Sequence, residues 1–102
     1  MDKKELQKIE DDHLHKLHEL ERLEFDLDYY YHRFDRETEN IIEAVSYACR
    51  GEYSAEIQSH IFEIEENLDN YRQLYNARID DVLDLRSKEN KTFYRKLEEN
   101  KI

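Results

Sequence analysis

The 102-residue sequence contains one Gly, one Cys, no Pro and no Trp. Turns between strands are built mainly from Gly, Pro, Asn and Asp, so a single Gly without any Pro argues against a sheet of several strands. Long apolar runs are missing, and with them a transmembrane helix or the apolar core of a signal peptide. The single cysteine, Cys49, excludes an intramolecular disulfide. We therefore expect an all-α fold and a cytoplasmic location.

Charged residues are abundant, and acidic residues outnumber basic ones. Charged residues make up 41% of the chain and the net charge is −10. Residues 1–50 carry 8 basic and 14 acidic side chains, and residues 51–102 carry 8 and 12, so both halves are acidic. A nucleic-acid-binding surface needs an excess of Lys and Arg to neutralise phosphates. We therefore expect no nucleic-acid binding, while mimicry of nucleic acid by the acidic surface stays open as an alternative.

Apolar residues recur at steps of three and four along both halves of the chain, which is typical of amphipathic helices with near-heptad spacing. In the first half the predicted stripe comprises Leu6, Ile9, His13 or Leu14, Leu17, Leu20, Leu23 or Glu24, Leu27, Tyr30 or Tyr31, Phe34, Thr38, Ile41, Val45 and Ala48. In the second half it comprises Ile57, Ile61, Ile64, Leu68, Tyr71, Tyr75, Arg78 or Ile79, Val82, Leu85, Glu89, Phe93 and Leu97.

The single glycine, Gly51, lies near the midpoint of the sequence. Glycine commonly follows the last turn of a helix because it adopts the left-handed conformation without steric cost, and the preceding Arg50 complements the helix dipole. Ser54 is suited to cap a second helix. We therefore predict a turn at Arg50 and Gly51 between helices over about 5–50 and 54–99, within a single domain.

Folding the chain at Gly51 brings the two stripes together, with Leu20 near Val82 and Ile41 near Ile61. One continuous helix is the structural alternative, and it would place Gly51 in a helix interior at a cost of about 1 kcal/mol. The correspondence of the two stripes favours a long antiparallel two-helix hairpin that resembles a coiled coil.

A second, patchier set of apolar residues lies off the stripes: Leu14, Leu23, Phe25, Ile42, Tyr47, Phe62, Leu74 and Leu83. A two-helix hairpin cannot cover both sets by itself, which favours burial against another chain over scattered surface residues. Aromatic residues are frequent at protein interfaces because they bury a large area. The predicted partner-facing residues are Phe25, Tyr29, Tyr30, Tyr31, Phe34, Tyr47, Phe62 and Leu74.

Catalytic and metal-binding chemistry is not expected. Glu10 precedes His13 by three residues, but helical di-iron sites need a second such pair, which the other half of the chain lacks. Cys49 would lie at the negative end of the first helix, where a thiolate is disfavoured. A single glycine cannot form a phosphate-binding loop. We therefore predict no enzyme activity, no catalytic residue, no metal and no cofactor.

An acidic helical hairpin of about a hundred residues with its turn in the middle resembles the small helical proteins of type VII secretion. WXG proteins of that system carry Trp-x-Gly at the turn. The corresponding stretch here, Ala48-Cys49-Arg50-Gly51-Glu52, has the glycine, but Cys49 replaces the tryptophan. The aromatic-rich first half, the Arg-Gly turn and the ending KENKTFYRKLEENK are more similar to the LXG-associated α-helical (Lap) proteins.

The resemblance implies a targeting chaperone that binds the N-terminal helical LXG domain of a toxin, often together with a second Lap protein. A hetero-oligomer is then expected, with a homodimer as the alternative for the chain alone. The family's export signal is an aromatic residue four positions before an acid, placed after the second helix. Tyr94 and Glu98, near the C-terminus, have this spacing, and such a signal would allow co-export from the cytoplasm. Chance produces this spacing too, as in Tyr31 and Asp35. A self-assembling structural coiled coil and a small inhibitor that acts by charge mimicry are the competing functions.

Overall fold

The computed structural model describes residues 2–49, 52 and 54–99. Helix α1 spans Lys3–Cys49 and helix α2 spans Ala55–Glu99, and the two helices pack against each other as an antiparallel hairpin. The all-α hairpin predicted from the stripes is confirmed, and each helix begins and ends within two residues of its predicted bounds. The predicted turn residues Arg50 and Gly51 lie outside the described residues.

Both helices begin with a side-chain cap. The first backbone N–H groups of a helix lack partners inside the helix, and a short polar side chain can satisfy them. The backbone N–H of Ile57 donates to Ser54 Oγ at 3.1 Å, which confirms the predicted cap of α2. At the start of α1 the backbone N–H of Lys4 donates to Asp2 Oδ1 at 3.3 Å.

The chain divides into two compact units. The terminal unit comprises Met1–Asp26 and Arg78–Ile102, and the central unit comprises Leu27–Ala77. Each unit contains one segment of α1 and one segment of α2. In the central unit, ring partners across the hairpin lie at equal or similar sequence distances from Gly51: 20 residues on each side for Tyr31 and Tyr71, and 20 and 24 for Tyr31 and Tyr75.

In the terminal unit, His13 and Glu89 also lie equally far from Gly51, and His13 Nδ1 is 3.1 Å from Glu89 Oε1. Glu24 and Arg86, which also pair across the hairpin, lie 27 and 35 residues from Gly51. Pairing by equal distance from the midpoint is the register that the two stripes predict.

Three positions of the predicted stripes differ in the structure. Ala48 is exposed, and Cys49 takes the half-buried position after Val45. Ile41 is exposed, and Ile42 takes the half-buried position after the buried Thr38. Leu85 is likewise exposed, and Arg86 is half-buried instead. The stripe therefore advances by four residues at all three points, because about 3.6 residues form one helical turn and a repeat of 3.5 residues drifts unless four-residue steps correct it.

The interior of the hairpin is thin. Among the described residues the buried apolar side chains are Leu20, Tyr31 and Val82, and the buried polar side chain is Thr38. No large side chain within the described ranges is completely buried. Since small domains with little buried apolar surface are marginally stable, the hairpin by itself has few interactions to spare.

We predict that Val82→Asp unfolds the hairpin, whereas Leu83→Asp does not. Val82 is 5% exposed and Leu83 is 46% exposed, so the same added charge is placed inside in one variant and at the surface in the other. An unpaired carboxylate in the interior costs at least about 3 kcal/mol of unfolding free energy, and the surface variant should lose less than about 1 kcal/mol. Thermal melting followed by circular dichroism measures both, and equal melting temperatures would show that the stripe is misassigned.

Candidate partner-binding surfaces

Aromatic rings from both helices stack in the interior of the central unit. The ring of Tyr31 lies 4.4 Å from that of Tyr75, at an interplanar angle of 18°. The Phe34 ring lies 4.5 Å from that of Tyr71. Such pairs contribute about 0.5–1.5 kcal/mol beyond the area that they bury. Two of the residues predicted to face a partner, Tyr31 and Phe34, therefore pack within the hairpin, where Tyr31 is buried and Phe34 half-buried.

The phenol groups of these buried rings have polar partners. Arg72 Nε donates a hydrogen bond of 2.7 Å to the Tyr31 hydroxyl, and the Tyr75 hydroxyl donates to Asp28. By accepting this hydrogen bond, the Tyr31 hydroxyl raises the pKa of the Arg72 guanidinium above its ordinary value. The interior tyrosines therefore connect the two helices through both their rings and their hydroxyl groups. The sequence pattern did not indicate Arg72, because a charged residue beside the stripe has no periodic signal.

The neighbouring tyrosines take a different position. Tyr29 and Tyr30 are exposed, and their rings contact each other edge to face at 5.4 Å. Three consecutive residues of a helix are spread over about 200°, so they cannot all enter the same interface. The structure buries one of the three and leaves two at the surface, where they can contact another molecule.

Exposed apolar residues are common in both units. Among the described residues, twelve large apolar side chains have exposures between 46% and 81%. In the terminal unit these are Leu14, Leu23, Phe25, Leu83, Leu85 and Tyr94, and in the central unit they are Tyr29, Tyr30, Ile41, Tyr47, Phe62 and Leu74. Six of the eight residues predicted to face a partner are in this set: Phe25, Tyr29, Tyr30, Tyr47, Phe62 and Leu74.

Two open grooves lie between the helices among the described residues of the central unit. The larger, which we call the isoleucine groove, has a volume of about 450 Å³ and is lined by Ile42, Ser46, Gln58, Ile61, Phe62 and Glu65. The smaller has a volume of about 230 Å³ and is lined by Tyr30, Arg33, Phe34, Glu37 and Tyr71. The isoleucine groove exists because Ile42, rather than Ile41, turns towards Ile61, which the stripe alone did not predict.

Polar pairs cross the hairpin in the terminal unit. Arg86 Nη2 donates a hydrogen bond of 2.6 Å to Glu24 Oε2. His13 Nδ1 lies 3.1 Å from Glu89 Oε1, and the His13 ring stacks on the Phe93 ring at 3.9 Å. These pairs occupy positions that a coiled coil usually fills with apolar residues. They explain why the terminal unit buries little apolar surface apart from Leu20 and Val82.

The terminal unit also has an apolar groove with a charged border. Its volume is about 210 Å³, and it is lined by Lys16, Glu19, Leu20, Leu23, Leu85 and Glu89. Leu23 and Leu85, both half-exposed, form its apolar walls. Leu85 was predicted to lie in the interior, and its displacement by Arg86 places it on this surface.

Tyr94 and Glu98, which have the spacing of the export signal, lie within α2 and not after its end. Both side chains are exposed, and residues four apart on a helix are neighbours on one face. The C-terminal end of α2 therefore presents an aromatic ring and a carboxylate side by side to solvent.

The described residues contain little that would support chemistry. No group of three His, Cys, Asp or Glu side chains among them is arranged to hold a metal ion. His15, His18, His32 and His60 are exposed, and Cys49 is a free, half-buried thiol. In the described part of the chain, neither helix contains a segment apolar enough to cross a membrane.

Comparison with known proteins adds no relative. No protein-family model matches the chain, and neither a curated protein nor a solved structure matches it significantly.

We predict that Tyr31→Ala destabilises the protein and that Tyr29→Ala does not. Removing a stacked, buried ring and its hydrogen bond should cost about 3 kcal/mol of unfolding free energy, whereas the exposed ring should cost less than about 0.5 kcal/mol. Urea denaturation measures both values. Similar losses in the two variants would contradict the distinction between an interior and a surface tyrosine.

Proposed function

We propose that this protein is an adaptor that binds a helical partner, and specifically a targeting chaperone for the LXG domain of a type VII secretion toxin. The observation that carries the proposal is the imbalance between interior and surface: twelve large apolar side chains are exposed, against three apolar side chains that are buried among the described residues. Contiguous exposed apolar surface on a small protein usually marks an interaction site.

The architecture suits a helical partner. A groove between two antiparallel helices accepts a third helix, because side chains of one helix pack into the gaps between side chains of the others. Each unit offers such a groove, lined in the central unit by Ile42 and Ile61 and in the terminal unit by Leu23 and Leu85. A partner with long helices could cover both grooves. The LXG domain is such a partner in the family that this sequence resembles.

The choice of the LXG domain rests on the resemblance of the sequence to Lap proteins, and the general adaptor function rests on the surface. A self-assembling coiled coil is the main competitor, since a second copy of the chain could also cover the exposed residues. The two functions predict different behaviour when the LXG domain is added: an adaptor binds the domain, whereas a structural coiled coil stays associated with itself.

We predict that the protein forms a complex with an LXG domain encoded beside its gene, and that the complex replaces any homodimer. Size-exclusion chromatography with light scattering, on the chain alone and after co-expression with the domain, gives the masses. A triple variant, Tyr29→Ser with Tyr47→Ser and Leu74→Ser, should keep its helix content and lose at least about tenfold in affinity, since exposed aromatic residues contribute strongly to interfaces.

Matched replacements of exposed polar residues, Gln73→Ser with Asn76→Ser and Asn40→Ser, should leave the affinity unchanged. A homo-oligomer that persists in the presence of the LXG domain would favour a structural coiled coil. A monomer that binds neither itself nor the domain would contradict the proposed function.

A further inference from the structure

The negative charge is concentrated in the central unit. Leu27–Ala77 contains 11 acidic and 4 basic residues, a net charge of −7 out of the −10 of the whole chain. Between residues 37 and 71 there are nine acidic residues, and the only Lys or Arg is Arg50. The central unit is therefore the part of the protein to which a basic molecule is attracted most strongly.

The isoleucine groove lies in this acidic region and is apolar along its floor. Ile42 and Ile61 form the floor, and the half-exposed ring of Phe62, at 66% exposure, stands at its edge. Glu65 is part of the lining, and none of the hydrogen bonds or ion pairs among the described residues involves it. An apolar floor with an unpaired carboxylate at its border can bind a ligand that is apolar on one side and positively charged beside it.

Acidic residues border the groove on both helices. On α1, Glu39 lies three residues before Ile42, and Glu43 lies three residues before Ser46, which places both on the groove side of the helix. On α2, Glu66 lies four residues after Phe62 and so borders the same edge. All three are exposed. The apolar floor is thus flanked by carboxylates along two parallel lines, one on each helix.

We propose that the isoleucine groove binds a basic amphipathic helix, whose apolar residues cover Ile42, Ile61 and Phe62 while its Lys and Arg residues pair with the bordering carboxylates. The helix would belong to the bound LXG domain, so this site rests on the proposed adaptor function. A helix laid in the groove would complete a three-helix packing and shield the apolar floor from water.

A second copy of this chain is a poorer occupant of the groove. Placing one central unit against another would bring two surfaces with a net charge of −7 each into contact, and like charges across an interface oppose association. An acidic helix is disfavoured for the same reason. The charge of the groove therefore selects the sign of its partner, while the apolar floor supplies the area that is buried.

The test uses two synthetic amphipathic peptides of about 18 residues, long enough for about five helical turns. One contains Leu and Lys, and the other contains Leu and Glu in the same pattern. Fluorescence anisotropy of the labelled peptides, titrated with the full-length protein, should show binding of the Leu/Lys peptide and none of the Leu/Glu peptide. Raising the ionic strength from about 0.05 M to about 0.5 M should weaken the binding, because screening reduces the attraction between exposed charges.

Variants locate the binding site. Phe62→Ser should raise the dissociation constant of the Leu/Lys peptide by about tenfold, whereas Phe25→Ser should change it by less than about twofold. The two rings are matched in exposure, at 66% and 69%, but Phe25 is in the terminal unit. Glu65→Gln should weaken binding by about threefold, and Glu21→Gln, an exposed acidic residue of the terminal unit, should have little effect.

Equal effects of Phe62→Ser and Phe25→Ser would overturn the assignment, because they would indicate attraction to the acidic protein without a defined groove. So would binding of the Leu/Glu peptide, or self-association that Phe62→Ser abolishes. If the LXG domain binds and Phe62→Ser leaves its affinity unchanged, the groove is wrong and the adaptor function stands. If the peptide binds at the groove and no LXG domain does, the groove stands and the targeting function is wrong.

Discussion

The contact between one apolar stripe of α1 and one of α2 is the interaction on which the rest of the structure depends. It buries no large side chain completely within the described ranges, and several of its positions are polar: Thr38, His13, and the pair of Glu24 with Arg86. Polar groups in an interface add specificity of register more than net stability. A thin interface with specific pairs holds two helices in one alignment and leaves their outer faces free for another molecule.

The tyrosines of α1 contribute both to the contact between the helices and to the exposed surface. Tyr31 stacks on Tyr75 inside the central unit, and its hydroxyl accepts a hydrogen bond from Arg72. Tyr29 and Tyr30, the residues just before it, are exposed. One short segment of α1 thus contributes to the packing of the hairpin and to its exposed aromatic surface. The two contributions can be separated by mutation, because they come from different residues.

Much of the fold could be predicted because it depends on simple features: an uninterrupted period of three and four, one glycine at the midpoint, and a serine that caps α2. The prediction was wrong at Ile41, Ala48 and Leu85, where four-residue steps change which of two neighbouring residues points inwards. For the candidate binding surface, the sequence named Phe25, Tyr47, Phe62 and Leu74, which the structure leaves exposed. The isoleucine groove and the hydrogen bonds across the hairpin could not be predicted, because they depend on the register of two distant segments.

The central claim is that the hairpin leaves its apolar flanks to be covered by a helical partner. Hydrogen exchange measured by mass spectrometry, on the protein alone and with saturating LXG domain, tests this claim most directly. We expect amide exchange in both helices to slow markedly in the complex, because covering the flanks suppresses local opening of a marginally stable hairpin. Identical exchange in the two samples would contradict the account, since it would show that the exposed apolar residues are not covered.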